Sequence, residues 1–260
     1  YVPLFDNEQW TGAVVLVEDI SDIIRSNRLS AWAEMARRVA HEVKNPLTPI
    51  QLAIEHLLRV WYDRSPEFES VLLSCSDAIQ RQVKALRRLV SDFSQYGRPS
   101  ILDREEIRMN QFLKDLVNSY SNHLPEGIEI ETKLDPDLPP VKGDPEKLRG
   151  AIMNIIENGL QAINGKGKII VEADRDPNAF VRIRIHDTGQ GVPPEILTRL
   201  FEPYFSTKSG GSGLGLPIAR KNIEEHGGRI EVQSKQGQGT TVTVLLPEAK
   251  VQEASVMRKT

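Results

Sequence analysis

The segment Ala40-His41-Glu42-Val43-Lys44-Asn45-Pro46-Leu47 gathers an imidazole, a carboxylate and a carboxamide into little more than one helical turn. Around it, Leu29, Ala33, Ala36, Ala40, Val43, Leu47, Ile50, Ile54 and Leu57 succeed one another in alternating steps of four and three. That is the repeat of a helix seam that packs on another helix. His41 lies beside the seam, not in it. Residues four apart share a helix face, so His41 and Asn45 can both reach a group docked there. An imidazole so placed is able to act as a nucleophile, and equally able to be an ordinary solvated side chain.

Four blocks further on could serve a nucleotide. Asn154-Ile155-Ile156-Glu157-Asn158 carries two carboxamides one turn apart. Two oxygen ligands on one face suit Mg²⁺, which keeps several waters and completes its shell with phosphates. Asp187-Thr188-Gly189-Gln190-Gly191-Val192 comes directly after a strand. A carboxylate fixed there can accept a hydrogen bond from an exocyclic amine, while the glycines let backbone approach a planar base; a plain Asx-capped turn has the same composition. Phe201-Glu202-Pro203-Tyr204-Phe205-Ser206-Thr207-Lys208 joins aromatics to hydroxyls and a cation, to anchor a mobile loop and meet a phosphate or merely to pack. Gly210-Gly211-Ser212-Gly213-Leu214-Gly215-Leu216 runs into a helix and offers backbone N–H groups to an anion. It lacks the preceding strand of a dinucleotide fingerprint and the Gly-Lys-Ser/Thr of a P-loop. Singly, each block is commonplace.

The elements that must position these residues read as several pieces. Residues 1–20 alternate like a hairpin closing a β-rich domain, with Ser21 or Asp22 as the N-cap of the next helix. Residues 21–97 are expected to form two helices joined by a turn at Asp63-Arg64-Ser65-Pro66, with a bend at Pro46 and Pro49. The second helix repeats the four-three pattern at Phe68, Leu72, Cys75, Ile79, Leu86, Leu89 and Phe93, with Gln82 the one polar interruption. One such antiparallel hairpin covers only part of each seam, so pairing of two copies into a four-helix bundle is the natural way to bury the rest. Residues 98–107 read as a linker and first strand. From 108 to 247 helices alternate with the strands of a largely antiparallel sheet, which implies a two-layer α/β sandwich. Residues 248–260 read as a disordered tail.

Bulk properties narrow the classes. With 260 residues, 39% hydrophobic content and a net charge of −3, the chain has the balance of a soluble protein and no basic footprint for nucleic acid. Cys75 is the only cysteine, which excludes an intrachain disulfide and fits a reducing compartment. Apolar runs reach only about five residues, against the roughly 20 that span a bilayer. The chain opens at Tyr1 inside a strand-like pattern and reads as a piece of something longer.

In their order, these stretches resemble a known family. His41 to Leu47 looks like the phosphoacceptor box of sensor histidine kinases. The four later blocks resemble the N, G1, F and G2 boxes of the GHKL ATPase fold, the Bergerat-type nucleotide site shared with Hsp90-type chaperones and MutL-type ATPases. The run from Ser30 to Ile50 is most similar to NtrY-type nitrogen-related sensors, and Glu18-Asp19-Ile20-Ser21-Asp22 resembles the exit of a PAS sensor domain. The resemblance implies that Mg²⁺ and ATP bind the second domain, with Asn158 and Asn154 as metal ligands and Asp187 reading the adenine amine. Gly189, Gly191, Gly213, Leu214 and Gly215 would close backbone on the nucleotide, and Lys208 would face phosphate. His41 would then attack the γ-phosphorus, Glu42 would fix its tautomer as acid/base partner, and Asn45 would orient water for the reverse reaction. The phosphoryl group would pass to an aspartate in the receiver domain of a response regulator. A cytoplasmic location is expected, with any inner-membrane anchor supplied by segments outside this chain. One departure is Gly159, where the family usually has alanine and where the helix should loosen slightly. The remaining histidines, His56, His123, His186 and His226, read as structural or solvated. The competing reading is a GHKL-fold ATPase or serine kinase whose helical dimer is non-catalytic.

Overall fold

The four-three repeat forms one long helix, as its spacing predicts. In the computed structural model, which describes residues 2–6, 9–14, 21–97, 102–121, 124–207 and 212–249, a hairpin of β1 (Val2–Asp6) and β2 (Gln9–Val14) precedes α1 (Ser21–Tyr62). The stretch read as a PAS exit falls mostly outside the described residues. α1 carries Pro46 and Pro49 in its interior without interruption. Each proline lacks the N–H that would bond the carbonyl four residues earlier, so Glu42 and Asn45 lose their usual amide partners. α2 (Phe68–Gly97) begins after a tight connection in which Arg64 takes a left-handed φ of 49°. The rings of Trp61 and Phe68 pack at 5.2 Å across that turn.

The helix seams are only partly covered. Cys75 and Leu89 are buried, but Leu47, Leu52, Ile54, Leu58, Leu72, Leu73, Val83 and Val90 remain exposed. Burying one such side chain stabilises by roughly 1.5–3 kcal/mol, so the two helices alone leave much of their apolar surface unused.

The chain divides into two compact units, Tyr1–Leu86 and Arg87–Thr260. In the second, β3 (Glu105–Ile107) leads to α3 (Met109–Ser121), β4 (Ile128–Leu134), β5 (Val141–Gly143), α4 (Pro145–Ala162), β6 (Gly167–Asp176) and β7 (Phe180–Asp187). The short α5 (Pro194–Leu197), α6 (Gly215–Glu225), β8 (Arg229–Lys235) and β9 (Gly239–Pro247) complete it. The main sheet has the order β4-β6-β7-β9-β8, antiparallel except for β4 against β6. β3 is the expected first strand, and it pairs not with the main sheet but with β5, in a segment whose sequence reads as loop. Alternation assigns the faces. Ile169, Val171, Val181, Ile183, Ile185, Val242 and Val244 point into a core shared with Leu113, Leu116, Leu148, Ile152, Ile155 and Ile156 of α3 and α4. The other face bears cross-strand ion pairs, Arg182 with Asp174 at 2.8 Å and Arg184 with both Glu172 and Asp174.

The start of the supposed tail is held in place. Arg175 binds the Glu248 carboxylate through two nitrogens at 2.6 and 2.9 Å, and the Ala249 amide donates to the Pro140 carbonyl at 3.0 Å. Order therefore extends past Pro247 to Ala249, because a buried Glu248 carboxylate needs its guanidinium; residues 250–260 lie outside the described residues.

One knot ties α4 to α6. The Asp144 side chain caps α4 by accepting from the amides of Glu146 and Lys147, both at 3.1 Å, with Pro145 opening the helix. The Asp144 amide donates at 2.9 Å to Nε2 of His226, whose Nδ1 donates at 2.6 Å to the Asn222 carbonyl. Asn222 in turn donates to the Lys147 carbonyl at 3.2 Å. Burial pushes the His226 imidazole below its ordinary 6.5, Arg104 adds to that, and the Asn222 carbonyl opposes it. The unfolded chain thus takes up a proton near pH 6.5 that the folded unit refuses. The contribution of His226 to stability is level above that pH and falls as pH drops through 6.5 toward the depressed folded value. We expect the urea midpoint of the second unit to decline between about pH 7.5 and about pH 5.5, and the decline to be shallower in His226→Gln. An identical slope in the variant would place the effect on another group.

Candidate functional site

In the first unit, position on α1 decides what each side chain can do. The His41 side chain is exposed, Glu42 is half-buried, and Asn45 is exposed one turn further on. Pro46 is buried, so the backbone beneath this face is held while the imidazole stays open to a docking group. Thr48 bonds back to the Lys44 carbonyl at 3.3 Å. His56 is exposed and His123 lies outside the described residues. His186 pairs through Nδ1 with the Thr241 hydroxyl at 3.0 Å on the outer sheet face, and His226 belongs to the knot between α4 and α6. None of these three described histidines has an exposed carboxamide one turn on, as His41 has.

In the second unit, strand parity places the carboxylate. Ile183, Ile185 and Asp187 share the inward face of β7, so Asp187, only 6% exposed, points beneath α4. Its Oδ1 accepts from the Gly189 amide at 2.9 Å. Thr188 is clamped to β6, its amide bonding the Lys168 carbonyl at 3.1 Å and its hydroxyl accepting from the Lys168 amide at 2.9 Å. Asn154 and Asn158 lie together on one half-buried face of α4. A Cβ at Gly215 would stand 3.6 Å from the Asn154 side-chain oxygen, so this carboxamide looks onto the first turn of α6. That turn has no side-chain cap, which leaves helix N–H groups on the same side as the two amides.

Two glycines of this segment pack closely on protein backbone. A Cβ at Gly189 would lie 2.6 Å from the Ala162 carbonyl oxygen, and the Gln190 amide donates to that oxygen at 3.0 Å. Gly191, with φ 66°, abuts the Lys235 carbonyl. The closeness these two glycines permit is thus between protein backbones. The same loop is fastened to β8 by Ser234, whose hydroxyl accepts from the Val192 amide at 2.8 Å and donates to the Gly239 carbonyl at 2.9 Å. Ser234, Lys168 and Ala162 carry no signal in the sequence, because each acts only through sheet register or through the end of α4.

The aromatic block meets the glycine-rich segment by its backbone. Tyr204, at φ 63°, donates its amide to the Gly213 carbonyl at 3.0 Å, and Leu214 is fully buried. Arg199 stacks over the Phe205 ring at 4.2 Å, and Arg220 sits 5.4 Å from Phe201. The Ser212 hydroxyl donates to Asp92 near the end of α2 at 2.9 Å. Lys208, Gly210 and Gly211 lie outside the described residues. Gly159 is buried within α4, which runs unbroken from Pro145 to Ala162.

Gly213 has φ 62°, and a Cβ there would lie 2.6 Å from the Tyr204 carbonyl carbon. Gly213→Ala is therefore expected to cost roughly 1–3 kcal/mol. Amide hydrogen exchange should show faster exchange at Tyr204 while the Ile183 amide in the sheet keeps its protection.

Known proteins share both halves of this arrangement. Residues 31–100 match the His Kinase A (phospho-acceptor) domain, and residues 143–250 match the histidine kinase-, DNA gyrase B- and HSP90-like ATPase family. Nitrogen regulation protein NtrY of Azorhizobium caulinodans is 37% identical over 258 residues, covering 94% of this chain and 33% of that protein. Sensor histidine kinase ZraS of Escherichia coli K12 is 31% identical over 226 residues, covering 86% of this chain and 47% of the relative. The chain thus spans between a third and half of the length of these two curated relatives. Histidine kinase ThkA, solved in complex with response regulator protein TrrA, superposes with a TM-score of 0.69 at 25% identity, over 86% of this chain and 64% of that one.

Proposed function

The chain belongs to the sensor histidine kinases, and from that membership we propose that it phosphorylates its own His41 from ATP and passes the phosphoryl group to an aspartate of a response-regulator receiver domain. The observation that carries the reading is an exposed imidazole on α1 with a half-buried carboxylate beside it and an exposed carboxamide one turn on.

The residues of the second unit fit a magnesium nucleotide. Asn154 and Asn158 offer hard oxygen donors from one helix face, and the uncapped start of α6 stands opposite Asn154. Mg²⁺ held by Asn158 and Asn154 would neutralise phosphate charge. Asp187 presents a buried carboxylate acceptor suited to the exocyclic amine of adenine. Gly189, Gly191, Gly213, Leu214 and Gly215 shape the backbone around the nucleotide, and Lys208 is assigned to phosphate.

His41 attacks through Nε2, which must be unprotonated to present its lone pair. As the Nε2–phosphorus bond forms in line, the bond from the γ-phosphorus to its bridging oxygen breaks, and that electron pair leaves with ADP. Glu42 accepts the Nδ1 proton and balances the positive charge on the ring. The receiver carboxylate then takes the phosphoryl group from Nε2. Asn45, on the same face, orients water for hydrolysis of the regulator's acyl phosphate, which gives the chain a phosphatase role. Two copies are proposed to pair through α1 and α2, since Leu47, Ile54, Leu72 and Val90 are exposed in a single copy. Among the described residues, no helix is long and apolar enough to cross a membrane.

With γ-labelled ATP and Mg²⁺, the chain is expected to acquire label that is acid-labile and base-stable; phosphoserine would show the opposite. His41→Gln should lose the label and keep its ATP affinity within about twofold, while Asn158→Ala should weaken ATP binding about tenfold or more. Label persisting on His41→Gln would sink the assignment in favour of the serine-kinase alternative.

A further inference from the structure

We propose that Asp92 is a specificity-determining residue of the nucleotide site: its carboxylate stands in for a phosphate at the start of α6, and a nucleotide's phosphates bind there by displacing it. The inference rests on the reading of the uncapped first turn of α6 as the phosphate end of that site. The last turns of α2, from Arg87 onward, belong to the second unit together with the glycine-rich segment. There the Ser212 hydroxyl donates to Asp92 Oδ2 at 2.9 Å, and the same hydroxyl oxygen accepts from the Leu214 amide at 3.3 Å. Leu214 is the N-cap of α6, a helix of 11 residues. One hydroxyl thus joins a carboxylate to the amide from which that helix sets out. Negative charge is favoured at this end, where helix N–H groups point outward without intrahelical partners. Asp92 and Ser212 are both half-buried, so the charge is only partly weakened by solvent. A phosphate drawn to the same N–H groups meets that charge at close range, and the two repel.

The cost of displacing Asp92 rises with the number of phosphates that reach the start of α6, and a nucleoside does not meet it. The coupling is reciprocal. Phosphates loosen the end of α2 from Ser212, and whatever draws the end of α2 away tightens the hold on phosphates. A plain packing contact makes different demands. Its worth lies in the hydrogen bond from Ser212, which Asp92→Asn keeps through its side-chain oxygen. A packing role therefore predicts wild-type affinities in Asp92→Asn, lower stability in Asp92→Ala, and no dependence on phosphate number. The charge role predicts the same gain in both variants, graded by phosphate number.

The test measures binding of adenosine, ADP and the β,γ-imido analogue of ATP, which does not give up its γ-phosphate, to the full chain with Mg²⁺. Wild type, Asp92→Asn and Asp92→Ala are compared, and thermal unfolding reports folding in parallel. Both variants should bind the analogue about fivefold more tightly than wild type, ADP about twofold more tightly, and adenosine within about 1.5-fold of it. In wild type, amide exchange over residues 93–97 should quicken when the analogue is added and stay unchanged with adenosine. A folded Asp92→Asn protein with unchanged or weaker affinity for the analogue overturns the proposal. So does a gain of equal size for adenosine, which would place the effect on the fold and not on charge. Unchanged exchange at the end of α2 under saturating analogue overturns the displacement. Should Asp92→Ala fail to fold, Asp92→Asn decides alone. A wild type that binds adenosine as tightly as the analogue removes the phosphate reading of α6 and the proposal with it, a distinct failure visible without any variant.

Discussion

The close approach of α4 to the end of β7 is the constraint on which the second unit depends. Strand parity turns Asp187 inward, and a carboxylate there is a buried, poorly solvated acceptor that needs donors brought to it. The Gly189 amide supplies one at 2.9 Å. The turn that brings it there is fixed from three directions, by Lys168 on β6, by the Ala162 carbonyl at the end of α4 and by Ser234 on β8. The same α4 carries Asn154 and Asn158 outward from the sheet and starts on the Asp144 cap. Its N-terminus is bound through His226 to the end of α6, so the helix with the carboxamides and the helix after the glycine segment share a single anchor. Acceptor, amides and helix start are therefore placed by one packed assembly.

The helical hairpin obeys a different logic. His41 and Asn45 stand on an exposed face, and the prolines beyond them cost helix hydrogen bonds at the carbonyls of Glu42 and Asn45. The proposed transfer, from a nucleotide and on to a second protein, requires an open face of this kind. Stability has to come from elsewhere, and the exposed leucines and isoleucines along both helices are where a second copy would supply it.

Much of this is legible in the sequence because it rests on local periodicity. The four-three repeats mark both long helices to within a couple of residues, and strict alternation marks the sheet strands. The Asp144-Pro145 start of α4 is visible as a loop capping a helix. What cannot be read depends on chain segments far apart in sequence. β3 and β5 are three residues each and exist only by pairing with one another, so Pro139 to Gly143 read as loop. α5 is a single turn started by Pro193 and Pro194, too short for any period. Gly189 and Gly191 abut the Ala162 and Lys235 carbonyls, protein partners that only the fold brings near. Glu248 reads as tail because its guanidinium partner lies in β6, more than seventy residues earlier.

The two halves of the proposed chemistry also impose opposite demands on water, and the residues separate accordingly. Discrimination by a hydrogen bond works where the competing partner is not solvent, and the acceptor at 187, proposed to read the base, is almost fully covered. Phosphoryl transfer to an imidazole and onward to a second protein requires the ring to change partners, which an enclosed histidine could not do. An arrangement with the polarity reversed, a covered His41 and an exposed Asp187, would read the base poorly and could not hand the phosphoryl group on. The glycine-rich segment stands between these demands: Gly213 and Leu214 are built into the packed unit, through the Tyr204 amide and the core respectively, and the uncapped first turn of α6 begins at the very next residue.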